Sequence, residues 1–445
     1  MGWISLRNIL RILIFSLIYF LITNESLYKY FLVLATTFIL LKLLEYFQEK
    51  NLSFQYLLIV SFLFLIPLTL KNNIQVIFLP IGYQYIYISL ISSLIYIDSK
   101  RKNLKSSFFN KLSNTFLATI APLTYISGPS ANFEEVNIKN KSLGLLSVEN
   151  IKIVNIKLAI SGALRISLGI YLNSINTNIF NVNFFSNEVQ TIYLFLNFLI
   201  YGFFNFWRYY LLFSGASELC KAFLTLFKIN VIDNFKNPEN AIYYHEIWGK
   251  WHLNITKRIK DFLYTPLTLF MLRNFNLKNK YKNFFLIEGL PVSILFLVIS
   301  LWHGGKISDF IFAGLSIVFT LGSRAISQTK VAKENITNNK IIKEIIRFLS
   351  LSLFGIVLGI YDLDNNEQLN SKIEFVDSYL MLFITLIIYI YYRLKYIFYK
   401  INNNKIEIRL FDKYILFFES IIVIYINLFL IIDLEKINDF IYFDS

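Results

Sequence analysis

An all-α polytopic membrane protein is the fold class this sequence predicts, and three observations lead there. Of its 445 residues 56% are hydrophobic and 18% aromatic, with a mean hydropathy of +0.54, more apolar material than a soluble domain can hide behind a polar surface. The apolar residues come in continuous runs, unlike the alternating stretches of a barrel, and in hydrocarbon a helix pairs its backbone groups within its own segment. Lysine and arginine gather in a few loops, the pattern left when positive charge is retained on the cytoplasmic side. The chain reads as a single integral membrane domain over 1–445, with an interior cavity or tunnel.

Runs near the length of a helical span occur at about eleven places. They are Ile9–Ile22, Leu27–Leu44, Tyr56–Leu70, Val76–Ile97, Leu158–Leu172, Val189–Tyr210, Phe284–Trp302, Ile307–Leu321, Phe348–Ile360, Leu380–Tyr392 and Tyr414–Ile432. The first follows Arg7 and Arg11 as a signal sequence would, but no small-residue cleavage site follows, so it reads as a retained span. Phe116–Ser127 is apolar, contains Pro122 and is too short to cross, which suits a re-entrant or interfacial element. The segment Phe227–Lys282 mixes charges with aromatics at amphipathic spacing.

Three loops are basic, centred on Lys100–Lys111, Arg324–Arg347 and Arg393–Lys413, whereas the connection from Asp362 to Asp377 and the tail from Asp433 are acidic. Counting spans between them places the N-terminus inside the cell membrane, the C-terminus outside, and Phe227–Lys282 at the cytoplasmic face. The formal net charge of +14 is then an inside-facing bias and gives no reason to expect nucleic acid as a partner; the lipid bilayer is the expected one. The single cysteine, Cys220, excludes an internal disulfide.

All three histidines, His245, His252 and His303, fall between Tyr243 and Gly305, two of them in the strings Trp-Gly-Lys-Trp-His and Leu-Trp-His-Gly-Gly. Imidazole is the side chain suited to take and return a proton near neutral pH. Taken alone, His303 reads as an interfacial residue beside Trp302, and His252 as a polar residue on a surface helix. Span parity sets the two at opposite ends of a path. His245 has no implied partner and reads as structural. Arg165 and Arg208 lie within expected spans, where an ionisable residue either serves a site or snorkels, and Glu218 reads as a partner of Lys221. No P-loop, dinucleotide fingerprint or metal-ligand spacing occurs, so no metal and no bound cofactor are expected.

The order of local strings resembles the membrane-bound O-acyltransferase family, in particular its bacterial branch of alginate O-acetylation and D-alanyl-transfer proteins. The strings are Leu79-Pro80-Ile81-Gly82-Tyr83-Gln84 leading to Ile97-Asp98, Tyr125-Ile126-Ser127-Gly128-Pro129, Phe213-Ser214-Gly215-Ala216-Ser217-Glu218, Asn234-Phe235-Lys236-Asn237-Pro238, Glu246 to Leu267 with Trp248, Lys250, Trp251, His252, Asp261, Phe262, Tyr264 and Pro266 in register, and Leu301-Trp302-His303-Gly304. They make 79–321 the acyltransferase core and leave 322–445 as additional C-terminal helices. Lys250 and Lys260 stand where that branch has arginines, Ala216 replaces an aromatic and Glu218 an aspartate.

The resemblance implies transfer of an acyl group from a thioester, acetyl coenzyme A or an acyl carrier at the cytoplasmic face, to a hydroxyl. It implies His303 as general base and His252 as a hydrogen-bonding group for the donor or the developing oxyanion. Trp251 and Trp302 flank them as substrate-binding residues, and Lys257 and Arg258 are placed to attract the donor's phosphates. Asp261, about two and a half turns after His252, reads as a structural partner of Lys257 or Arg258. Cell-surface polysaccharide O-acetylation is the first expectation, with an outer-face partner receiving the acyl group. D-alanylation or lipid acylation are alternatives within the class. A secondary transporter or flippase is the alternative outside it, although no internal repeat is evident.

Overall fold

The structure is a computed structural model, and it describes residues 6–23, 27–53, 55–57, 60, 83–104, 106–121, 124, 128–136, 153–174, 191–227, 229–275, 284–303, 305–330, 332, 339–360, 378–401, 412, 414–417 and 419–423. The expected run Tyr56–Leu70 and the start of Val76–Ile97 fall largely outside these, as do most of the acidic connection and the acidic tail. Among the described residues every regular element is helical. The first half comprises α1 (Leu6–Thr23), α2 (Leu27–Glu49), α3 (Tyr83–Ser99), α4 (Phe108–Thr119), the single turn α5 (Phe133–Val136), α6 (Ile153–Ser174) and α7 (Thr191–Leu226). The second comprises α8 (Tyr244–Trp248), α9 (Leu253–Ile259), α10 (Thr265–Asn274), α11 (Leu290–His303), α12 (Ile307–Ser327), α13 (Lys340–Gly359) and α14 (Ser378–Ile401).

Helices Lys29–Glu49, Phe285–His303 and Ile307–Ser327 are long and apolar enough to cross a bilayer, which makes this a membrane protein. Shorter apolar helices cover Asn8–Leu21, Tyr85–Ser99 and Tyr414–Val423. Against the expectation of about eleven full crossings, several other long helices carry charge inside their length: α6 holds Arg165, α7 holds Arg208 and Glu218, and α13 holds Arg347. Those charges are met by protein. Arg165 pairs with Glu218 at 3.1 Å, and Arg208 donates to Asn173 Oδ1 at 3.1 Å.

The apolar exterior is visible in α1, where Leu13, Leu17 and Leu21, four apart, are 61%, 60% and 75% exposed while Phe15 and Tyr19 are buried. One face meets neighbouring helices and the other is left for lipid. Arg11, on the inward face, is fully buried and donates to the Val136 carbonyl at 3.1 Å, capping α5. The start of the expected Phe116–Ser127 element, Phe116–Thr119, lies in the buried end of α4, whose N-cap Ser107 accepts from the Asn110 amide; its end, 125–127, lies outside the described residues.

The central scaffold is α7, whose 36 residues span roughly 54 Å, well beyond the hydrocarbon thickness. It therefore carries the Phe213–Glu218 string on helix. Gly215 in that string crosses α6 at Gly162, where a side chain on either would lie within 2.8 Å of the other's carbonyl oxygen. Only glycine permits this backbone approach. One core cluster gathers around α7, α13 and Trp251, and another joins Tyr85, Phe133, Ile255, Ile259 and Trp302 around α3, α9 and α11. The site lies where these two meet.

Candidate active site

Tyr85, a buried residue near the start of α3, links the two Trp-His strings. Its ring lies 6.0 Å edge-on from Trp302 and 6.4 Å from His252, and Trp302 lies 4.7 Å from His303. His303 is close enough to act electrostatically on His252. The two histidines thus lie near each other. The expectation that they face a path from opposite ends is corrected by the tertiary fold, because the segment 229–252 folds back against α3 and α11, which span counting cannot register.

His252 is held by backbone and side chain together. Its φ of +49° is left-handed, unusual for a residue with a side chain and costing on the order of 1–2 kcal/mol. The turn is fixed from both sides: the Leu253 amide donates to the Asn234 carbonyl at 2.7 Å, and the Lys236 amide to the Lys250 carbonyl at 2.9 Å. The imidazole Nδ1 lies 2.8 Å from Asn234 Oδ1, and Asn234 Nδ2 donates to Ser217 Oγ on α7 at 2.8 Å. Burial, reinforced by His303, pushes the His252 pKa down to about 3, so the ring is neutral across the physiological range.

Behind His252 runs a second layer of polar contacts. Asn254 Oδ1 accepts from the Ser130 amide at 3.0 Å and from Ser130 Oγ at 2.6 Å, and its Nδ2 returns a bond to the Ser130 carbonyl at 3.0 Å. Arg258, 8% exposed, donates to the same carbonyl at 2.6 Å and pairs with Glu135 at 3.0 Å. Burial raises the Glu135 carboxyl against the pull of Arg258. Asn132 and Glu135 cap α5 reciprocally through their side chains, at 2.8 and 3.0 Å. The Gly128-Pro129 element thereby becomes a wall of the site. A Cβ on Gly128, at φ +71°, would stand 3.3 Å from the Tyr85 ring.

The other expected site residues distribute as follows. Trp251 is buried among Phe206, Tyr210, Phe235 and Phe354, a core position next to the site. Trp302 faces Tyr85 and His303. Lys257 is exposed on α9, whereas Arg258 is turned inward onto Glu135. Asp261 is exposed, and the ion pair on this segment goes from Arg258 to Glu135 instead of to it. Glu218 pairs with Arg165 and Lys221 with Asp233, so the expected Glu218–Lys221 pair does not form. His245 packs on Tyr243 and bonds Ser323, with Nδ1 to Oγ at 3.1 Å. Among the described residues no group of three or more His, Cys, Asp or Glu is arranged to hold a metal.

Five contributors escape the sequence reading: Tyr85, Ser130, Asn254, Asn132 and Glu135. Tyr85 directly follows the first of the matched strings and Ser130 the Gly128-Pro129 string, so position next to a motif was their available signal.

No protein-family model matches the chain. It is similar to a peptidoglycan O-acetyltransferase of Helicobacter pylori, 26% identical over 141 residues, which are 32% of this chain and 24% of that protein. It is also similar to a teichoic acid D-alanyltransferase of Streptococcus thermophilus, 28% identical over 122 residues, 27% of this chain and 28% of that protein. The chain thus matches about a quarter of the length of each relative. Both relatives transfer acyl groups by name, to different surface polymers.

Proposed function

We propose that this chain is a membrane-embedded O-acyltransferase that moves an acyl group from a thioester to a hydroxyl. The chain of ring contacts from His252 to Tyr85, from Tyr85 to Trp302 and from Trp302 to His303, beside a polar wall, is the observation that carries the reading. The two acyl-transferring relatives support it.

In this reaction His303 takes the proton of the acceptor hydroxyl as its oxygen attacks the thioester carbonyl. The carbon–sulfur bond breaks as the carbon–oxygen ester bond forms, and the imidazolium returns its proton to the departing thiolate. A positioned base of this kind contributes roughly 10²- to 10⁴-fold. His252 lines the same site from the side of α9. The exposed Lys257 offers charge to the phosphates of an acetyl coenzyme A or acyl-carrier donor at the cytoplasmic face.

The acyl group of this proposal is acetyl and the acceptor a cell-surface polysaccharide, reached through an outer-face partner. Orientation in the inner membrane is N-terminus inside and C-terminus outside. The D-alanyl-transferring relative gives a second reading, with alanyl in place of acetyl at the same histidine. Purified protein supplied with acetyl coenzyme A and a polysaccharide acceptor tests the class: His303→Ala is expected to abolish acetyl incorporation, and unchanged incorporation rejects the assignment. Mass spectrometry of the surface glycan with and without the protein separates acetyl from alanyl.

A further inference from the structure

Resting on the acyl-transfer reading above, we propose that Asn234 is a positioning residue that holds His252 as its Nδ1–H tautomer. His252 then presents a bare Nε2 lone pair to a proton-bearing group of the substrate, a hydroxyl or amide N–H. Of the two roles the resemblance implies for it, hydrogen-bonding the donor or the developing oxyanion, this argues against the second.

The hydrogen count is the argument. His252 Nδ1 lies 2.8 Å from Asn234 Oδ1. The face of the amide is set by its other contacts: the Asn254 backbone N–H donates to the same Oδ1 at 3.4 Å, while Nδ2 donates to Ser217 Oγ at 2.8 Å. Turning the amide over would set its NH2 against the Asn254 N–H, donor against donor. The backbone of Asn234 is tied to the Leu253 amide at 2.7 Å, and its side-chain amide to Ser217. A carbonyl oxygen only accepts, so the ring hydrogen sits on Nδ1. A neutral imidazole has one such hydrogen, and Nε2 is left with its lone pair.

Hydrogens on both nitrogens would require the imidazolium, and burial beside His303 opposes it. The guanidinium of Arg258 is occupied by Ser130 and Glu135. The left-handed backbone at His252 and its bond to Asn234 together fix the ring plane. Nε2, on the side of the ring away from Asn234, repels a carbonyl oxygen and accepts from O–H or N–H.

The test uses the purified full-length protein with ¹⁵N-labelled histidine, the His252 signal being identified by its loss in His252→Asn. At pH 7 the wild-type ring is expected to show a protonated Nδ1 and an unprotonated Nε2; the opposite tautomer overturns the proposal. Asn234→Leu is expected to lose that signature and to lower kcat for acetyl transfer from acetyl coenzyme A on the order of 10²-fold, with little change in KM. Asn234→Asp, which keeps an accepting oxygen, is expected to recover the tautomer and to bring kcat within about tenfold of wild type. Full activity in Asn234→Leu, or no recovery by aspartate, also overturns it. If the leucine variant fails to fold, the wild-type spectrum and the aspartate variant decide. A wild-type protein that shows the expected tautomer but transfers no acetyl group sinks the functional reading and leaves the tautomer assignment standing.

Discussion

Ser217 and Glu218 are successive residues on α7, and they serve two buried polar regions of opposite character. Ser217 anchors Asn234 and through it His252, in a network whose members next to the ring are neutral amides and hydroxyls. Glu218 anchors Arg165, whose guanidinium also lies 5.6 Å from the Tyr210 ring and 5.3 Å from that of Tyr392. Charge in the second region is met by charge. In the first, neutral partners orient a basic nitrogen without protonating it, which proton transfer requires. Burial of polar groups alone therefore does not mark a site here; the kind of partner does.

The contrast is broken or sharpened by five variants, one of them read through a titration. The largest effect is expected from His303→Ala, which lowers acyl transfer by at least about 10²-fold while thermal unfolding in detergent stays near that of the wild type. Equal losses of activity and stability would place His303 with the structural region instead. Glu218→Ala leaves Arg165 buried without its carboxylate and is expected to cost about 3 kcal/mol of stability, read from denaturant or thermal unfolding. Transfer per folded molecule should be retained.

Titration comes next. The folded His252 has its pKa lowered to about 3, against about 6.5 when unfolded, so the unfolded chain takes up a proton that the folded one refuses as pH drops below 6.5. The resulting loss is absent above pH 7 and reaches about 2 kcal/mol by pH 5. Melting curves at pH 7 and pH 5 should show a smaller acid penalty in His252→Asn than in the wild type. His245, whose pKa burial also lowers, adds a penalty of the same sign that persists in that variant. Ser217→Ala removes one hydrogen bond behind Asn234 and should cost about 1 kcal/mol. The smallest effect is expected at the exposed Lys257: alanine there should raise KM for acetyl coenzyme A a few-fold at low salt, and the difference should shrink as ionic strength rises.

Composition and continuous apolar runs determine by themselves that this protein is helical and lives in a membrane, because only such segments satisfy their backbone in hydrocarbon. The clustering of three histidines and the paired Trp-His strings likewise located the candidate site, since residue type and local order are written in the chain. What local order cannot express is which distant segments meet. His252 reaches Tyr85, and through it Trp302 beside His303, only because 229–252 returns to α3. Arg258 turns to Glu135, far off in sequence, and Glu218 looks across a glycine crossing to Arg165 while Lys221 finds Asp233. The nitrogen of His252 that bears the hydrogen is decided there too, by an amide eighteen residues away in the chain and 2.8 Å away in space. A proton's location depends on its hydrogen-bond partner, and tertiary packing chooses the partner.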